Sequence, residues 1–237
     1  MTIKKQSRKK PLIHTLYDAP KTGGEIEELS LAIIDSEAPR HRFAADEWQV
    51  VRRMIHTTAD FSIMKAVKFS PGAVAAAIVA MRRGRPIYAD SNMMRAGLSM
   101  ERLRSMCSQY GPDKIFCHIA DPDVADEARR SGLPRSLFAV RKAKGILSGG
   151  IAAFGNAPVA LLELNRMIVE EDVRPALVIA MPVGFVHVIE SKEELMSLDI
   201  PHIALTGRRG GSALAVSVIH ALCSLANSRR GGGDDGQ

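Results

Sequence analysis

The sequence predicts an α/β fold, a three-layer α/β/α sandwich with a mainly parallel, five-stranded sheet and extra helices before it. Two observations carry this expectation. After Gly84, short apolar runs alternate with helical patterns five times over, and strands joined through helices pair in parallel with helices on both faces. The chain has 237 residues, 46% of them hydrophobic, enough to bury one sizeable core.

In chain order, Ile26 to Ser36 carries apolar residues at Ile26, Leu29, Ile33 and Ile34, a helical stripe. Asp46 is placed to cap a stronger helix in which Trp48, Val51, Met54 and Ile55 share one face. Arg53 stands three residues before His56, on neighbouring parts of that helix surface. "SPGAVAAAIVAMRRG" follows, with Ser70 as cap, Pro71 in the first turn and Gly84 as stop. The five strands are then Pro86 to Ala89, Lys114 to Ala120, Gly145 to Phe154, Ala176 to Met181 and His202 to Thr206. Between and after them, Asp90 to Gly97 reads as a turn and short helix, and Asp121-Pro122 opens a helix to Arg130. "GNAP" leads into a helix to Glu171, Ser191 starts one with Glu194 completing a capping box, and "GRRGGS" launches Ala213 to Leu225. In such a sheet, ligands sit beyond the carboxyl ends of the strands. The distinctive loops, "GNAP", "MPVGFV" and "GRRGGS", all belong to that edge.

Charge and cysteines narrow the classes. Five of the six net positive charges fall within residues 1–21, leaving the remainder near neutral. That basic run has no interleaved aromatics for stacking on bases, so it reads as a solvated tail and not a nucleic-acid site. Residues 1–24 and the Gly- and Arg-rich 227–237 are both expected to be disordered, flanking a single domain over 25–226. Cys107, Cys117 and Cys223 form no C-x-x-C pair; reduced thiols in the cytoplasm fit them best. No apolar run approaches the ~20 residues of a membrane span, and no signal peptide is evident.

At the loop edge, Asn156 and Pro158 suit a helix start, while Gly210, Gly211 and Ser212 offer backbone N–H groups at another. Helix N-termini attract anions, and Arg208 and Arg209 add fork-shaped donors for carboxylates or phosphates. Well-made turns with surface arginines would look the same. No G-x-x-x-x-G-K-[S/T], G-x-G-x-x-G or G-x-S-x-G motif is present, and the seven histidines show no H-E-x-x-H or H-x-x-x-H pair. His56 remains as an acid/base candidate, since imidazole changes charge nearest neutral pH; a lone helical His is more often structural.

Four segments together supply more. "RMIHTTADFSIMKAVKFSP" (53–71), "FGNAPVALLEL" (154–164), "AMPVGFVHVIESKEEL" (180–195) and "GRRGGSALAVSVIHAL" (207–222) closely resemble the precorrin-8X methylmutase family of corrin biosynthesis. The likeness runs from about Ile26 to Leu225 and includes Asp90, Met93 and Gly97 of a D-x-x-M-x-x-x-G pattern. It implies a flavodoxin-like, cytoplasmic homodimer that moves a methyl group from C-11 to C-12 of a tetrapyrrole and hands a corrinoid to neighbouring pathway enzymes. By the same resemblance His56 is the catalytic acid. The substrate would be surrounded by Ser30, Arg53, Met93, Arg135, Ser136, Asn156, Ala157, Pro158, Met181, Gly184, Phe185, Val186, Arg208, Arg209, Gly210 and Gly211.

A flat apolar macrocycle fringed with carboxylates needs an apolar slot edged with cations and N–H donors, which these loops offer. An intramolecular methyl shift calls for no cofactor or metal. The chain departs from the family pattern at Pro134, Phe154, Thr57 and Thr58. Pro134 bears on how Arg135 is presented, and the two threonines on the width of the slot. A corrinoid carrier of the same fold that does not turn over is the alternative reading, and an anionic-nucleotide module ranks last.

Overall fold

The computed structural model describes residues 11–231, without the side chains of 229–231. Its contacts group the chain into two compact units, Met1–Pro39 and Arg40–Gln237. In the first, α1 spans Ile13–Asp18 and α2 spans Gly23–Glu37. Thr22 caps α2 reciprocally: its hydroxyl accepts from the Glu25 amide at 3.2 Å, and its own amide donates to the Glu25 carboxylate at 2.7 Å. Residues 11–24, expected to be disordered, therefore carry a helix and a capped helix start. Residues 1–10 and 232–237 of the expected tails lie outside the described residues.

The second unit runs through α3 (Ala45–Thr58), a 3-10 turn (Phe61–Lys65), β1 (Val67–Phe69), α4 (Ala73–Arg82), β2 (Ile87–Ala89), α5 (Asn92–Gly97), α6 (Met100–Met106) and β3 (Ile115–Phe116). It continues through α7 (Pro122–Ser131), α8 (Arg135–Lys142), α9 (Lys144–Leu147), β4 (Ile151–Phe154), α10 (Pro158–Glu171), β5 (Leu177–Ala180), α11 (Val188–Ser197), β6 (His202–Leu205) and α12 (Ser212–Gly231). Among the described residues six strands form one sheet in the order β1-β6-β5-β4-β2-β3. The five expected strands are all parallel, and their order is the flavodoxin-like one. The sixth, β1, pairs antiparallel with β6, Val67 opposite Leu205. It was missed because three residues are too few to show an alternation.

β4, β5 and β6 are buried at every position, as a sheet covered on both faces requires. Tyr88, Ala152, Phe154, Val178, Ala180 and Ala204 join one core cluster with residues of α8 to α11. The residues alternating with them, such as Ile87, Ala153 and Ile179, face the opposite way, where α4, α5 and α12 pack on the strands.

Several helix boundaries differ from expectation. Asp46 lies in the first turn of α3, whose cap is Ala44, with Glu47 reaching back to the Ala44 amide. Gly72, in the left-handed region at φ 73°, caps α4, and the Ser70 hydroxyl instead accepts from the His202 amide at 2.8 Å. Residues 144–147 are helical, so β4 begins at Ile151. Ser191 is inside α11, its hydroxyl turned back on the Val188 carbonyl, and no Ser191–Glu194 box forms because the Glu194 carboxylate takes the Asn165 amide. α12 extends through 227–231, expected as tail. The Arg82 guanidinium holds the Ala226 carbonyl at 2.6 Å and Asn227 bonds Ser105, so α4 and α6 brace that end.

The sheet order reverses between β2 and β4, the switch point where a crevice opens. Asp90, buried just after β2, fills the start of α10. Its carboxylate accepts from the amides of Gly155 at 3.1 Å and of Asn156 and Ala157 at 2.8 Å each. Burial raises the pKa of this carboxyl, and the three amides pull against it. We expect Asp90→Ala, which leaves three amides without an acceptor, to lower unfolding free energy by about 3 kcal/mol or more, read from urea denaturation.

Candidate active site

α3 and α12 pack closely, and this contact brings the acid/base candidate to a cavity of about 310 Å³. Arg53, His56 and Thr57 line it from α3, Met93 and Gly97 from α5, and Ser212, Ala213, Val216, Ser217 and His220 from α12. The local sequence explains the arrangement. Val50, Val51, Met54 and Ile55 are buried, so Arg53 and His56, on adjacent turns at the edge of that stripe, remain half-buried along the cavity wall. His56 is in the last turn of α3. Met93, 73% exposed, adds an apolar side chain to the lining.

The rim loops connect to this cavity through the start of α12. The Gly211 amide donates to the Met181 carbonyl at 2.8 Å, and the Gly184 amide to the Arg208 carbonyl at 3.3 Å. Ser212, next in line, shares a 3.0 Å hydroxyl bond with Ser91. Gly210 is required where the loops cross: a Cβ there would lie 2.2 Å from the Met181 carbonyl oxygen and 2.4 Å from that of Pro182. Past the crossing, Phe185 and Val186 are 82% and 70% exposed, and the Arg208 guanidinium lies 5.4 Å from the Phe185 ring centre.

The expected site residues thus fall into groups. His56, Arg53 and Met93 meet in one cavity, and Gly184, Phe185, Val186, Arg208, Gly210 and Gly211 form the rim loops, whereas Met181 is fully buried. The Gly211 amide, expected to be bare, is committed to Met181. Arg209 turns to the 3-10 turn, pairing with Asp60 and bonding the Ser62 hydroxyl. The Ser62 hydroxyl and amide, and then the charge of Arg209, hold Asp60 below its usual pKa. At "GNAP", the expected Asn156 cap is replaced: Ala157 takes the cap position, Pro158 opens α10, and Asp90 occupies the amides. Arg135 and Ser136 open α8, which packs on α7 and α10, and neither lines the cavity. Ser30 lies on α2, in the first unit.

Two contributors escaped the sequence reading. His220 lines the cavity, and its Nε2 accepts from the Ser99 amide at 3.0 Å, which places the ring proton on Nδ1. Its spacing of four and eight residues from Val216 and Ser212 was the available signal. Lys192, a lysine on the buried stripe of α11, donates to the Gly207 and Arg209 carbonyls at 2.9 and 2.8 Å. Among the described residues, no group of three or more His, Cys, Asp or Glu side chains could hold a metal ion.

A family model described as precorrin-8X methylmutase matches residues 25–225. The chain belongs to that family. The cobalt-precorrin-8 methylmutase of Leptospira interrogans is 43% identical over 87% of this chain and 96% of its own length. The precorrin-8X methylmutase of a Sinorhizobium species is 34% identical, over 87% and 96%. The solved precorrin-8X methyl mutase of Thermus thermophilus superposes with a TM-score of 0.80 at 44% identity, covering 90% of this chain and 100% of that one. As a precorrin-8X methylmutase family member the chain is an isomerase, an intramolecular transferase of cobalamin biosynthesis.

The crossing at Gly210 gives a direct test of the rim geometry. Gly210→Ala should force the 181–182 and 210–211 backbones apart and lower unfolding free energy by about 1–3 kcal/mol. Denaturant titration beside wild type measures it.

Proposed function

We propose that the chain moves the methyl group from C-11 to C-12 of precorrin-8X or cobalt-precorrin-8, giving hydrogenobyrinic acid or cobyrinic acid, with His56 as general acid. The observation that carries this reading is the placement of His56 and Arg53 on adjacent turns of α3, on the wall of a single cavity that opens at the start of α12. At about 310 Å³ the cavity is at the small end for ligand sites. It takes one edge of the macrocycle, and the remainder lies over the exposed apolar rim.

The chemistry asked of the protein is modest. The methyl leaves one ring carbon and joins its neighbour, so no electrons pass to an outside acceptor. The imidazolium of His56 donates a proton or hydrogen bond to a ring nitrogen near the migrating group, drawing electron density away and favouring the shift. Arg53 meets a peripheral carboxylate of the substrate. Arg208, stacked on Phe185, offers a second carboxylate site at the apolar edge.

The remaining expectations belong to this proposal: Ser30, Arg135 and Ser136 as substrate contacts, a homodimer, a cytoplasmic location, and hand-over of the corrinoid to the next enzyme. Among the described residues no helix is long and apolar enough to cross a membrane. A homodimer predicts a sedimentation mass twice 25.7 kDa; a single species at 25.7 kDa removes that part.

The decisive experiment follows the absorption spectrum of precorrin-8X mixed with the protein. Wild type should convert it with time, whereas a carrier would give a static bound spectrum. His56→Ala should still bind hydrogenobyrinic acid but convert substrate about 10²–10⁴-fold more slowly. Conversion at the wild-type rate would refute the assignment.

A further inference from the structure

Lys192 is fully buried, yet among the described residues no carboxylate pairs with it. Its ammonium reaches two neutral acceptors, the carbonyls of Gly207 and Arg209, which flank Arg208. These bonds clamp the backbone on both sides of Arg208. The Arg208 carbonyl in turn accepts from Gly184, and its guanidinium lies over Phe185. The neighbouring Arg209 is already matched by Asp60, so among the described residues the positive charge of this rim that has no carboxylate partner resides on Lys192 and Arg208. Keeping an uncompensated cation in a buried position is costly unless an anion arrives to complete it. A loop tie alone could be made by a neutral amide donor.

We propose that Lys192 is the positioning residue of the rim: it fixes the backbone around Arg208 to receive a peripheral carboxylate of the substrate, and its own charge is completed by that carboxylate. This rests on the reading of the substrate as a polycarboxylate tetrapyrrole, and assigns to one buried lysine the coupling between rim order and ligand charge.

The environment of Lys192 makes the idea testable by pH. Burial alone lowers its pKa from the usual lysine value to about 8. The charged groups on the elements around it are Glu190, Glu193 and Glu194 on α11, Glu163, Arg166, Glu170 and Glu171 on α10, His202 on β6, and Arg208 and Arg209 on the loop with Asp60 behind them. None contributes to that shift. The protonated ammonium is the form that favours an anion, so affinity is full below about pH 8 and falls as pH rises through it. By linkage, a bound carboxylate raises the lysine pKa in return.

The test uses the full chain, titrated with hydrogenobyrinic acid from about pH 7 to 9.5 while absorption is followed, together with steady-state conversion of precorrin-8X. Wild type should bind about tenfold more weakly at the top of that range than at the bottom. Lys192→Met should raise KM about tenfold with kcat within about twofold, the pattern of lost uniform binding, and should show no such limb. Lys192→Arg should restore affinity and keep it flat across the range, because a guanidinium stays charged. A folding defect in Lys192→Met leaves the wild-type profile and Lys192→Arg to decide. Wild type that binds and converts, but with an affinity flat across this range, overturns the role of Lys192 alone. Wild type that does neither removes the functional reading as well.

Discussion

The carboxylate of Asp90 crosses from the end of β2 to the start of α10 and takes three amides at the point where the sheet reverses its order. In related architectures that helix start is where a ligand's phosphate rests. Here the protein's own acid occupies it, so these three amides are already committed. The next residue, Ser91, extends the same lock to α12 through Ser212. Two loops and two helix starts are thus fixed relative to one another before any substrate is present, and the cavity beside His56 inherits its shape from them.

A second principle is the distribution of charge. Arg209, in the most conspicuous basic motif of the chain, is taken by Asp60 and Ser62 and serves the link between rim and 3-10 turn. Arg53 lines the cavity, Arg208 lies over Phe185 on the rim, and the buried Lys192 ties the loop through its backbone carbonyls. Neutralising one of two adjacent arginines also limits like-charge repulsion within the loop, letting the 207–211 segment hold its crossing with 181–184.

How much of this could be read from the sequence follows from the range of the interactions involved. The five parallel strands were visible because buried strands are short, uniformly apolar and punctuated, and the placement of Arg53 and His56 on one side of α3 followed from helical spacing alone. The antiparallel β1 was hidden, being three residues long and held by long-range pairing to β6. Cap assignments at Ser70 and Ser191 failed where tertiary partners intervened, His202 capturing Ser70 and Asn165 capturing Glu194, while the one at Asp46 failed because the helix starts earlier, from Ala44. Asp90 and Lys192 were quoted within family motifs, but nothing local shows that one bridges 65 to 67 residues to α10 and the other 15 and 17 residues to a loop. The Asn156 cap illustrates the same limit: a residue with the right chemistry stood next to a stronger, distant acceptor.

The crossing at Gly210 has a meaning for how such a rim can diversify. The segments 181–184 and 208–211 share backbone bonds and leave no room for a side chain between them. Neither can therefore be exchanged singly with a relative's version of different shape. They form one transplantable cassette, and altered ligand preference in descendants of this fold should arise by paired substitution across the crossing.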